Sequence, residues 1–549
     1  MQIVIPMSGF GERFRRAGYT VPKPLIAIEG KPIVSHVVDM FPGETDVLFI
    51  CNEEHLADPA FRMREILEAA SPSATIVGIA AHRLGPVHAV LQAASHIRRD
   101  GPVVVNYCDF TCFWDWSHFR RRVADTGCDG AIPAYRGFHP HSLGTTNYAY
   151  MRERDGWVLD IQEKEPYTDN RMQEYASSGT YYFASGALML DAFAATEAQK
   201  LTVGGEHYVS LSYKPLLAEG RRVLVYPLQH FMQWGTPEDV HEYEVWSDAF
   251  RNLIDPAYAR GMRMDGTTLI PMAGLGERFS REGYTLPKPM IPVSGRPMVA
   301  QATDDLPRTR DHLFVLRGDM PGLHEIQETL EGTWPGMRSV VLDGPTDGQA
   351  RTALLGWEAL DAAAKKGPIT IAACDNGALF RGENLAHVLT ETDVDVVVWV
   401  ARGYPNAARN PRMYGWLRCD GDRVVGASIK TPLADPAHDP IVTGTFTFRR
   451  GTDFARAVER MIRRDGRING EFYIDSSLED AIALGLDVRI MEIDSYLCWG
   501  TPNDLRTFEY WQSCFHKWHG HPYRLELDSR VAPEAIEVLD ERYSAFSVE

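Results

Sequence analysis

The stretch Pro6-Met7-Ser8-Gly9-Phe10-Gly11-Glu12-Arg13-Phe14, followed by Pro22-Lys23-Pro24, decides the organisation of this chain because it occurs twice. It recurs as Pro271-Met272-Ala273-Gly274-Leu275-Gly276-Glu277-Arg278-Phe279, followed by Pro287-Lys288-Pro289. The first glycines of the two copies, Gly9 and Gly274, stand 265 positions apart. A repeat of this length predicts two complete domains and not a solenoid, whose repeats are roughly 20 to 50 residues long.

Further pairs of residues keep nearly the same offset along the whole unit. They are Asp109 with Asp375, Lys164 with Lys430, Gly179-Thr180 with Gly444-Thr445, Gly205-Glu206 with Gly470-Glu471, and Trp234-Gly235-Thr236-Pro237 with Trp499-Gly500-Thr501-Pro502. We therefore expect a first domain at residues 1–255, a second at 266–512 and a C-terminal extension at 513–549 packed on the second domain.

The apolar segments alternate with amphipathic ones in both units. Short apolar runs at 2–6, 47–50, 103–105, 268–271, 369–372 and 395–400 read as strands, and the patterns at 61–70 and 87–97 read as helices. Such alternation predicts the α/β class, here two tandem Rossmann-like domains, each a mostly parallel sheet flanked by helices. Ligands of such sheets bind at the carboxyl ends of the strands, where the motifs of this chain also fall.

Composition restricts the partners. The 74 acidic and 56 basic residues give a formal net charge of −18, which argues against general affinity for nucleic acid or an anionic membrane. The start of the chain does not resemble a signal peptide, and no apolar run approaches the roughly 20 residues of a membrane span. A cytoplasmic location is the resulting expectation, with no membrane partner. Homo-oligomerisation is left open.

Glycines and basic residues follow the first strand of each unit. Gly9 and Gly11 would let backbone amides approach phosphate oxygens, while Arg13 offers a planar fork and Lys23 a mobile point charge. The plainer interpretation is a tight turn with solvated basic side chains. It is disfavoured because the whole pattern returns in the second unit, at Gly274, Gly276, Arg278 and Lys288.

The pattern Gly-x-Gly-x-Arg-Phe, a spacer, then Pro-Lys-Pro-Leu or Pro-Lys-Pro-Met resembles the signature of the sugar-phosphate nucleotidyltransferase (NTP transferase) family. The similarity covers both units, with glycosyltransferase-A-like domains implied. Each remaining site residue stands at the position of a family landmark, although unit 2 has different residues, Gly348 and Gln349, at the base-reading position and lacks the glutamate before Lys430. The resemblance implies that Mg²⁺ binds to Asp109 and Asp375 and that the acceptor phosphate binds to Lys164 and Lys430. The rest of the acceptor would contact Gly179, Glu206, Gly444 and Glu471. The nucleobase would contact Gly85, His88, Gly348 and Gln349.

One departure concerns the metal. The family usually carries a second metal-binding aspartate two residues before the glycine of the Gly-Thr-Pro turn, but Gln233 and Cys498 stand there. Either another carboxylate completes each site, or Asp109 and Asp375 hold Mg²⁺ together with phosphates and water.

The resemblance implies an enzyme of the EC 2.7.7 type. It would transfer a nucleoside monophosphate from a nucleoside triphosphate to a small phosphorylated metabolite (a sugar phosphate, a phospho-alcohol or phospho-amine, or a phosphonate), releasing pyrophosphate, as in making activated intermediates for cell-surface glycans. One alternative makes the second domain a regulatory or structural nucleotide-binding module. A second, a nucleotide-sugar glycosyltransferase, lacks a convincing Asp-x-Asp motif and leaves Lys23 unexplained.

Overall fold

The computed structural model describes residues 1–258, 261–390 and 394–544. Contacts between residues divide the described chain into unit 1, with Met1–Tyr243 and Ser544, and unit 2, with Glu244–Tyr543. The division falls inside a long helix, Pro237–Ile254. Residues 259 and 260, between the two predicted domains, and residues 545–549, at the end of the predicted extension, lie outside the described residues.

The described part of unit 1 contains fourteen strands and nine α-helices, and the last of these helices continues into unit 2. The strands are β1 (Gln2–Met7), β2 (Ala27–Ile28), β3 (Lys31–Pro32), β4 (Asp46–Asn52), β5 (Thr75–Ile79), β6 (Val103–Asn106), β7 (Phe110–Phe113), β8 (Gly130–Tyr135), β9 (Ala149–Arg154), β10 (Trp157–Glu163), β11 (Tyr175–Ser177), β12 (Thr180–Phe183), β13 (Val223–Leu228) and β14 (His230–Gln233). The helices are α1 (Glu12–Arg16), α2 (Ile33–Asp39), α3 (Glu53–Ala57), α4 (Met63–Ala70), α5 (Pro86–Gln92), α6 (Trp116–Thr126), α7 (Gly186–Ala198), α8 (Tyr213–Ala218) and α9 (Pro237–Ile254).

The described part of unit 2 repeats this alternation of strands and helices. Its strands are β15 (Thr267–Pro271), β16 (Pro292–Val293), β17 (Arg296–Pro297), β18 (Asp311–Arg317), β19 (Arg338–Leu342), β20 (Ile369–Ile371), β21 (Asn376–Leu379), β22 (Val396–Ala401), β23 (Gly415–Asp420), β24 (Arg423–Ile429), β25 (Ile441–Phe448), β26 (Val488–Glu492) and β27 (Ser495–Cys498). Its helices are α10 (Glu277–Arg281), α11 (Met298–Asp304), α12 (Leu323–Thr333), α13 (Gln349–Glu358), α14 (Ala362–Lys366), α15 (Gly382–Thr390), α16 (Pro405–Arg409), α17 (Gly451–Arg463), α18 (Leu478–Ala483), α19 (Pro502–Lys517) and α20 (Ile536–Ser544).

The two main sheets have the same strand order. In unit 1 it is β11-β9-β10-β13-β8-β12-β6-β1-β4-β5, and in unit 2, from the same side, β23-β24-β26-β22-β25-β20-β15-β18-β19. The single strand β25 takes the places of both β11 and β12, since it pairs with β20, β22 and β23. The α/β class predicted from the sequence is confirmed for both units.

Each sheet is parallel on one side and mixed on the other. In unit 1, β1 pairs in parallel with β4 and β6, and β4 with β5. The strand β12 then runs antiparallel between β6 and β8. All residues of β1 and β6 are buried, as expected for parallel strands covered by helices on both faces.

Each unit has its own hydrophobic core. The core of unit 1 surrounds β1, β6 and β8 and is closed by α5 and α7. The core of unit 2 surrounds β15, β20 and β22 and is closed by α13 and α17. Within the ranges that the structure covers, no helix is both long and apolar enough to cross a membrane.

The residues after α19 pack on unit 2. Arg530 forms a buried ion pair with Asp305, 2.8 Å between Nη2 and Oδ1. Gln512 donates a hydrogen bond to the Tyr523 hydroxyl at 2.8 Å and accepts one from the Tyr543 hydroxyl at 3.1 Å. The C-terminal segment up to Tyr543 therefore belongs to the second unit.

Candidate functional site

A cavity of about 580 Å³ opens at the carboxyl ends of β1 and β6 in unit 1. Nine of the ten site residues predicted for this unit line it. They are Gly9, Gly11, Arg13, Lys23, Gly85, Asp109, Lys164, Gly179 and Glu206. Residues that are up to about 200 positions apart in sequence therefore converge on one concave surface, large enough for a nucleotide-sized ligand.

The glycine loop leads from β1 into α1. Gly11, the N-cap of α1, has φ 63° and ψ 31°, a left-handed conformation that a side chain disfavours. Gly276 repeats it in unit 2, with φ 66° and ψ 22°. No atom outside the immediate neighbours lies within 4 Å of where a Cβ of Gly9 or Gly11 would stand. The loop therefore leaves open space beside its backbone.

Lys23 and Asp109 form an ion pair on the cavity wall. The distance from Lys23 Nζ to Asp109 Oδ2 is 2.8 Å, and each side chain is 24% exposed. Burial by itself would lower the pKa of Lys23, but the Asp109 carboxylate outweighs it, so this pKa lies above its usual value. The same ion pair joins Lys288 to Asp375 in unit 2. Both units thus hold a fully charged lysine beside a carboxylate.

The turn after β14 places the carboxylate of Asp239 close to that of Asp109. A Cβ placed on Gly235 would lie 3.2 Å from Asp109 Oδ2 and 3.6 Å from Asp239 Oδ2, so the two carboxylates flank one point. Asp239 also lines the cavity, and burial, with Glu242 and Asp109 nearby, raises its pKa to about 6. The Thr236 N–H donates to Asp239 Oδ2 at 2.9 Å.

Gln233 is oriented by the same aspartate. Its Nε2 donates to Asp239 Oδ1 at 2.5 Å, and its Oε1 is buried with no hydrogen-bond partner in the part of the chain that the structure describes. Gln233 lines the cavity. The amide oxygen of Gln233, on the same amide group as the nitrogen that donates to Asp239, is therefore an unsatisfied acceptor.

The corresponding turn of unit 2 differs. There the point beside Gly500 is 3.2 Å from Asp375 Oδ2 and 3.6 Å from Cys498 Sγ. Burial raises the pKa of the Cys498 thiol, so it stays protonated. The related carboxylate, Asp504, accepts hydrogen bonds from Thr501 and Asn406.

Asp239 is the site residue that sequence reasoning missed. Its sequence signal is an acidic residue three positions after the threonine of Gly235-Thr236-Pro237, which also reads as the first turn of a helix. Because that plainer role explains the residue fully, the sequence alone gives no reason to place it beside Asp109.

Across the described residues, no group of three or more His, Cys, Asp or Glu side chains could hold a metal ion.

Lys164 and its neighbours form the end of the cavity that the resemblance predicts to bind the acceptor. Lys164 Nζ donates to the Tyr208 hydroxyl at 2.5 Å and lies 4.4 Å from the centre of that ring. Glu163 and Glu206 add two carboxyl groups to the lining. Gly179, with φ 99°, allows close approach of Phe110 and Tyr107, 3.0 and 3.1 Å from a Cβ placed there.

The opposite end is formed by the segment before α5. Gly85 has φ 90°, and a Cβ there would lie 2.7 Å from the backbone N and O of His207. His82, Arg83, Pro86 and Ala89 line the cavity beside Gly85, whereas His88 is not part of the lining. The Nδ1 atom of His88 lies 2.7 Å from Glu197 Oε1, on another part of the unit.

The remaining predicted residues of unit 2 occupy equivalent positions in the fold. Gly348 has φ 134° and precedes α13, which begins at Gln349. Gly444 lies within β25, and a Cβ there would be 3.2 Å from the Cβ of Ala373. Lys430 Nζ donates to the carbonyl oxygen of Met413. Arg278 and Glu471 interact electrostatically with Lys430, and Gly274 begins the second glycine loop.

The fold of unit 1 is an α/β domain with a glycine loop at the carboxyl end of its first strand, and it was compared with known families. Residues 3–166 of unit 1 match the family model described as MobA-like NTP transferase domain. This segment carries an NTP transferase domain, as the resemblance predicted, and the match supports nucleotidyl transfer. It does not extend to unit 2.

Three solved structures illustrate the similarity. The nucleoside-diphosphate-sugar pyrophosphorylase from Vibrio cholerae RC9 is 22% identical, with 44% of this chain and 98% of that chain covered and a TM-score of 0.37. The inositol-1-phosphate CTP transferase from T. maritima is 13% identical, with 46% of this chain and 96% of that chain covered and a TM-score of 0.34. A UDP-glucose pyrophosphorylase complexed with UDP-glucose is 16% identical, with 43% of this chain and 94% of that chain covered and a TM-score of 0.35. These similarities are too weak to indicate an activity.

Proposed function

We propose that unit 1 transfers a nucleoside monophosphate from a nucleoside triphosphate to a small phosphorylated acceptor and releases pyrophosphate. The observation that carries this proposal is the single cavity lined by the glycine loop, Arg13 and Lys23 as well as by Lys164. Three cationic side chains in one cavity, Arg13, Lys23 and Lys164, suit a reaction between two phosphorylated substrates.

The reaction is an in-line displacement. A phosphate oxygen of the acceptor forms a bond to the α-phosphorus, while the bond from that phosphorus to the oxygen bridging it to the β-phosphorus breaks. The electron pair leaves with pyrophosphate. Because the attacking oxygen is already ionised, the protein needs to position the two substrates and neutralise charge, with no nucleophilic side chain.

Each cation has a role in this scheme. Arg13 and Lys23 bind the β- and γ-phosphates and stabilise the negative charge that develops on pyrophosphate. Lys164 binds the acceptor phosphate. In the structure Lys23 is held by Asp109, so triphosphate oxygens must compete with that carboxylate for the ammonium group.

The residues beside Gly235 fit a magnesium ion. Mg²⁺ prefers hard oxygen ligands and is usually held by one or two carboxylates plus substrate phosphates. Asp109 and Asp239 supply two carboxylates, and the unsatisfied Gln233 Oε1 supplies a further oxygen. When bound there, Mg²⁺ would neutralise the triphosphate and favour departure of pyrophosphate. We propose Asp239 as the carboxylate that takes the place of the usual second aspartate.

The proposal extends to unit 2 with a difference. We keep the predicted division into domains 1–255 and 266–512 with an extension at 513–549. The first domain would pair its glycine loop with Lys23, and the second domain would pair its glycine loop with Lys288. Cys498 beside Asp375 favours the alternative in which unit 2 binds nucleotide without catalysing transfer, because a neutral thiol is a poor ligand for Mg²⁺.

The proposal includes the reaction class, the location and the kind of acceptor. The reaction is of the EC 2.7.7 type and takes place in the cytoplasm. The acceptor is a sugar phosphate, phospho-alcohol, phospho-amine or phosphonate, and the product is an activated intermediate for cell-surface glycans. The partners are the two small-molecule substrates, with no nucleic acid because the net charge is −18.

A pyrophosphate-release screen tests the proposal. The full chain is incubated with each of the four nucleoside triphosphates, Mg²⁺ and a panel of phosphorylated metabolites. We expect pyrophosphate release that requires one triphosphate, one acceptor class and the metal. Release without any acceptor, or no release with the whole panel, would contradict the proposal.

A further inference from the structure

A buried arginine holds the start of the glycine loop in unit 2. Arg317 is the last residue of β18, and it is 5% exposed. Its Nη1 donates a hydrogen bond of 2.6 Å to the carbonyl oxygen of Ala273, the residue before Gly274. Its Nε donates to the carboxylate of Asp319, whose side chain is 58% exposed. One guanidinium group therefore joins the loop to a carboxylate at the surface.

The backbone of unit 2 leaves the sheet earlier than the backbone of unit 1. In unit 1, β1 pairs with β4 as far as Met7 and Cys51. In unit 2 the pairing of β15 with β18 ends one position earlier, at Pro271 and Val315. Arg317 lies two residues beyond Val315, so its side chain supplies a hydrogen bond to the backbone where the strand pairing has stopped.

The corresponding residue of unit 1 has a different role. The strands β4 and β18 are both seven residues long, so Arg317 corresponds to Asn52, the last residue of β4. The Asn52 side chain caps α3, because it accepts a hydrogen bond from the Glu54 N–H at 2.9 Å. Its Nδ2 is shielded from solvent and has no hydrogen-bond acceptor among the described residues. Asn52 therefore does not hold the glycine loop of unit 1 as Arg317 holds that of unit 2.

The loop that Arg317 holds also lies closer to the lysine that follows it. A Cβ placed on Gly276 would be 3.1 Å from the Cβ of Lys288, whereas a Cβ on Gly11 meets no atom within 4 Å. Both glycines have the same left-handed conformation, so the difference lies in the placement of the loop and not in the turn itself. The glycine loop of unit 2 therefore stands nearer to Lys288 than its counterpart in unit 1 stands to Lys23.

A buried guanidinium group needs a reason at this position. Taking a charge out of water is costly unless the charge is paired and hydrogen-bonded. Unit 1 fills the same position with the uncharged Asn52, so the fold does not require a charge there. A positive charge within hydrogen-bond distance of the loop suits a polyanionic ligand.

We infer that Arg317 is a positioning residue for the nucleotide site of unit 2, where it fixes the glycine loop for contact with the phosphates of a nucleoside triphosphate. This inference rests on the proposed function, since it assigns the same polyphosphate ligand to the loop. A loop that is ordered before the ligand arrives loses less conformational entropy on binding. Arg317 therefore raises the affinity of unit 2 through the position of the loop and through its own charge.

Competitive lysine labelling measures the affinity of each unit separately in the full chain. The chain is treated with trace acetic anhydride at a series of inorganic tripolyphosphate concentrations, and labelling rates are read from one peptide digest by mass spectrometry. Tripolyphosphate is the probe because it carries the polyanionic tail without a nucleobase. Lys23 reports binding in unit 1, and Lys288 reports binding in unit 2. Lys365 on α14, which lies 5.3 Å from the Trp357 ring centre, reports whether unit 2 keeps its fold.

Three variants are compared with wild type. Arg317→Asn introduces the residue of unit 1, and Arg317→Lys keeps the charge but loses the planar fork. Arg310→Asn is the matched control, because Arg310 pairs with Asp311 at the other end of β18 and its side chain is 70% exposed.

We expect Arg317→Asn to raise the tripolyphosphate concentration that half-protects Lys288 by about tenfold, the effect of losing one charge-assisted hydrogen bond. Arg317→Lys should recover part of this loss because it keeps the positive charge. Arg310→Asn should leave the protection of Lys288 unchanged. Protection of Lys23 should be the same in all four chains.

The possible results distinguish the inference from the proposed function. Equal protection of Lys288 in wild type and Arg317→Asn, or weaker protection accompanied by faster labelling of Lys365, would overturn the positioning role. Protection of Lys23 without protection of Lys288 in wild type would also overturn it and leave the proposed function of unit 1 standing. Arg317-dependent protection of Lys288 in a chain that releases no pyrophosphate would support the inference while the proposed transfer reaction fails.

Discussion

The Lys23–Asp109 ion pair is the side-chain contact on which the proposed nucleotide binding depends most directly. In a Lys288→Ala background, which leaves only unit 1 competent, we expect Lys23→Ala to reduce the rate of pyrophosphate release roughly 100-fold or more. The reason is loss of a preorganised charge on the leaving phosphates. Steady-state kinetics with the substrates found in the screen measures the effect.

Lys31→Ala is the matched control for this change. Lys31 also pairs with an aspartate, Asp39, but both side chains are well exposed, at 40% and 61%, and Lys31 does not line the cavity. A surface ion pair contributes about 0–1 kcal/mol, so this variant should keep its activity. Equal losses in the two variants would remove Lys23 from the proposed mechanism.

Asp239 is expected to contribute to metal binding. Replacing it by Asn should weaken binding of Mn²⁺, as a spectroscopic substitute for Mg²⁺, to the chain–triphosphate complex by about tenfold, because one negative oxygen donor is lost. Electron paramagnetic resonance of free Mn²⁺ measures the affinity directly. Glu238→Gln removes an equal charge from the neighbouring exposed position and should have no such effect.

Glu163 makes acceptor binding depend on pH. Its pKa lies at about 7 because the carboxyl group is buried. Above pH 7 the group ionises and adds a negative charge beside Lys164, which should raise the KM for the anionic acceptor while changing kcat less. Glu163→Gln should remove this part of the pH profile. If the profiles of wild type and variant coincide, Glu163 does not face the acceptor.

Among the loops, the segment before α5 depends on one glycine. Gly85→Ala combines a positive φ with a Cβ only 2.7 Å from the His207 backbone, so we expect a loss of about 2–4 kcal/mol in the stability of unit 1 and weaker nucleotide binding. Gly101→Ala is the control, since it shares a positive φ, 102°, but meets no atom within 4 Å. It should lose about 1 kcal/mol. Thermal melting with and without triphosphate separates the two effects.

Strands could be predicted from the sequence better than helices. The runs at 2–6, 47–50 and 103–105 correspond to the strands Gln2–Met7, Asp46–Asn52 and Val103–Asn106. These buried strands are nearly continuous apolar runs bounded by turn residues. The helix expected at 87–97 instead ends at Gln92 and is followed by a short 3₁₀ turn, Ala94–His96.

The site was predictable where one motif carries it and not where it depends on contacts across the fold. The glycine loop, Lys23 and Asp109 follow from local pattern and resemblance, and they converge on one cavity. The sequence gives no sign of the proximity of Asp239 to Asp109, because this proximity depends on how β14 pairs with β7. The family resemblance predicts His88 near the nucleobase, but in the structure the His88 ring contacts Glu197 and does not line the cavity.

For the chain as a whole, the repeated motifs and the shared strand order of the two units support a duplication. Comparing pyrophosphate release by Lys23→Ala, Lys288→Ala and the double variant tests whether both units catalyse the transfer. If both units transfer nucleotide, each single variant keeps part of the pyrophosphate release and the double variant none. If unit 2 only regulates, Lys23→Ala alone abolishes release.

The most direct test of the central claim is a crystal structure of the full chain with Mg²⁺ and a non-hydrolysable nucleoside triphosphate analogue. We predict that the β- and γ-phosphates lie against Gly9 to Gly11, within hydrogen-bond distance of Arg13 and Lys23, with the metal at Asp109. A triphosphate bound elsewhere, or a cavity in unit 1 that stays empty at saturating analogue, would contradict the claim.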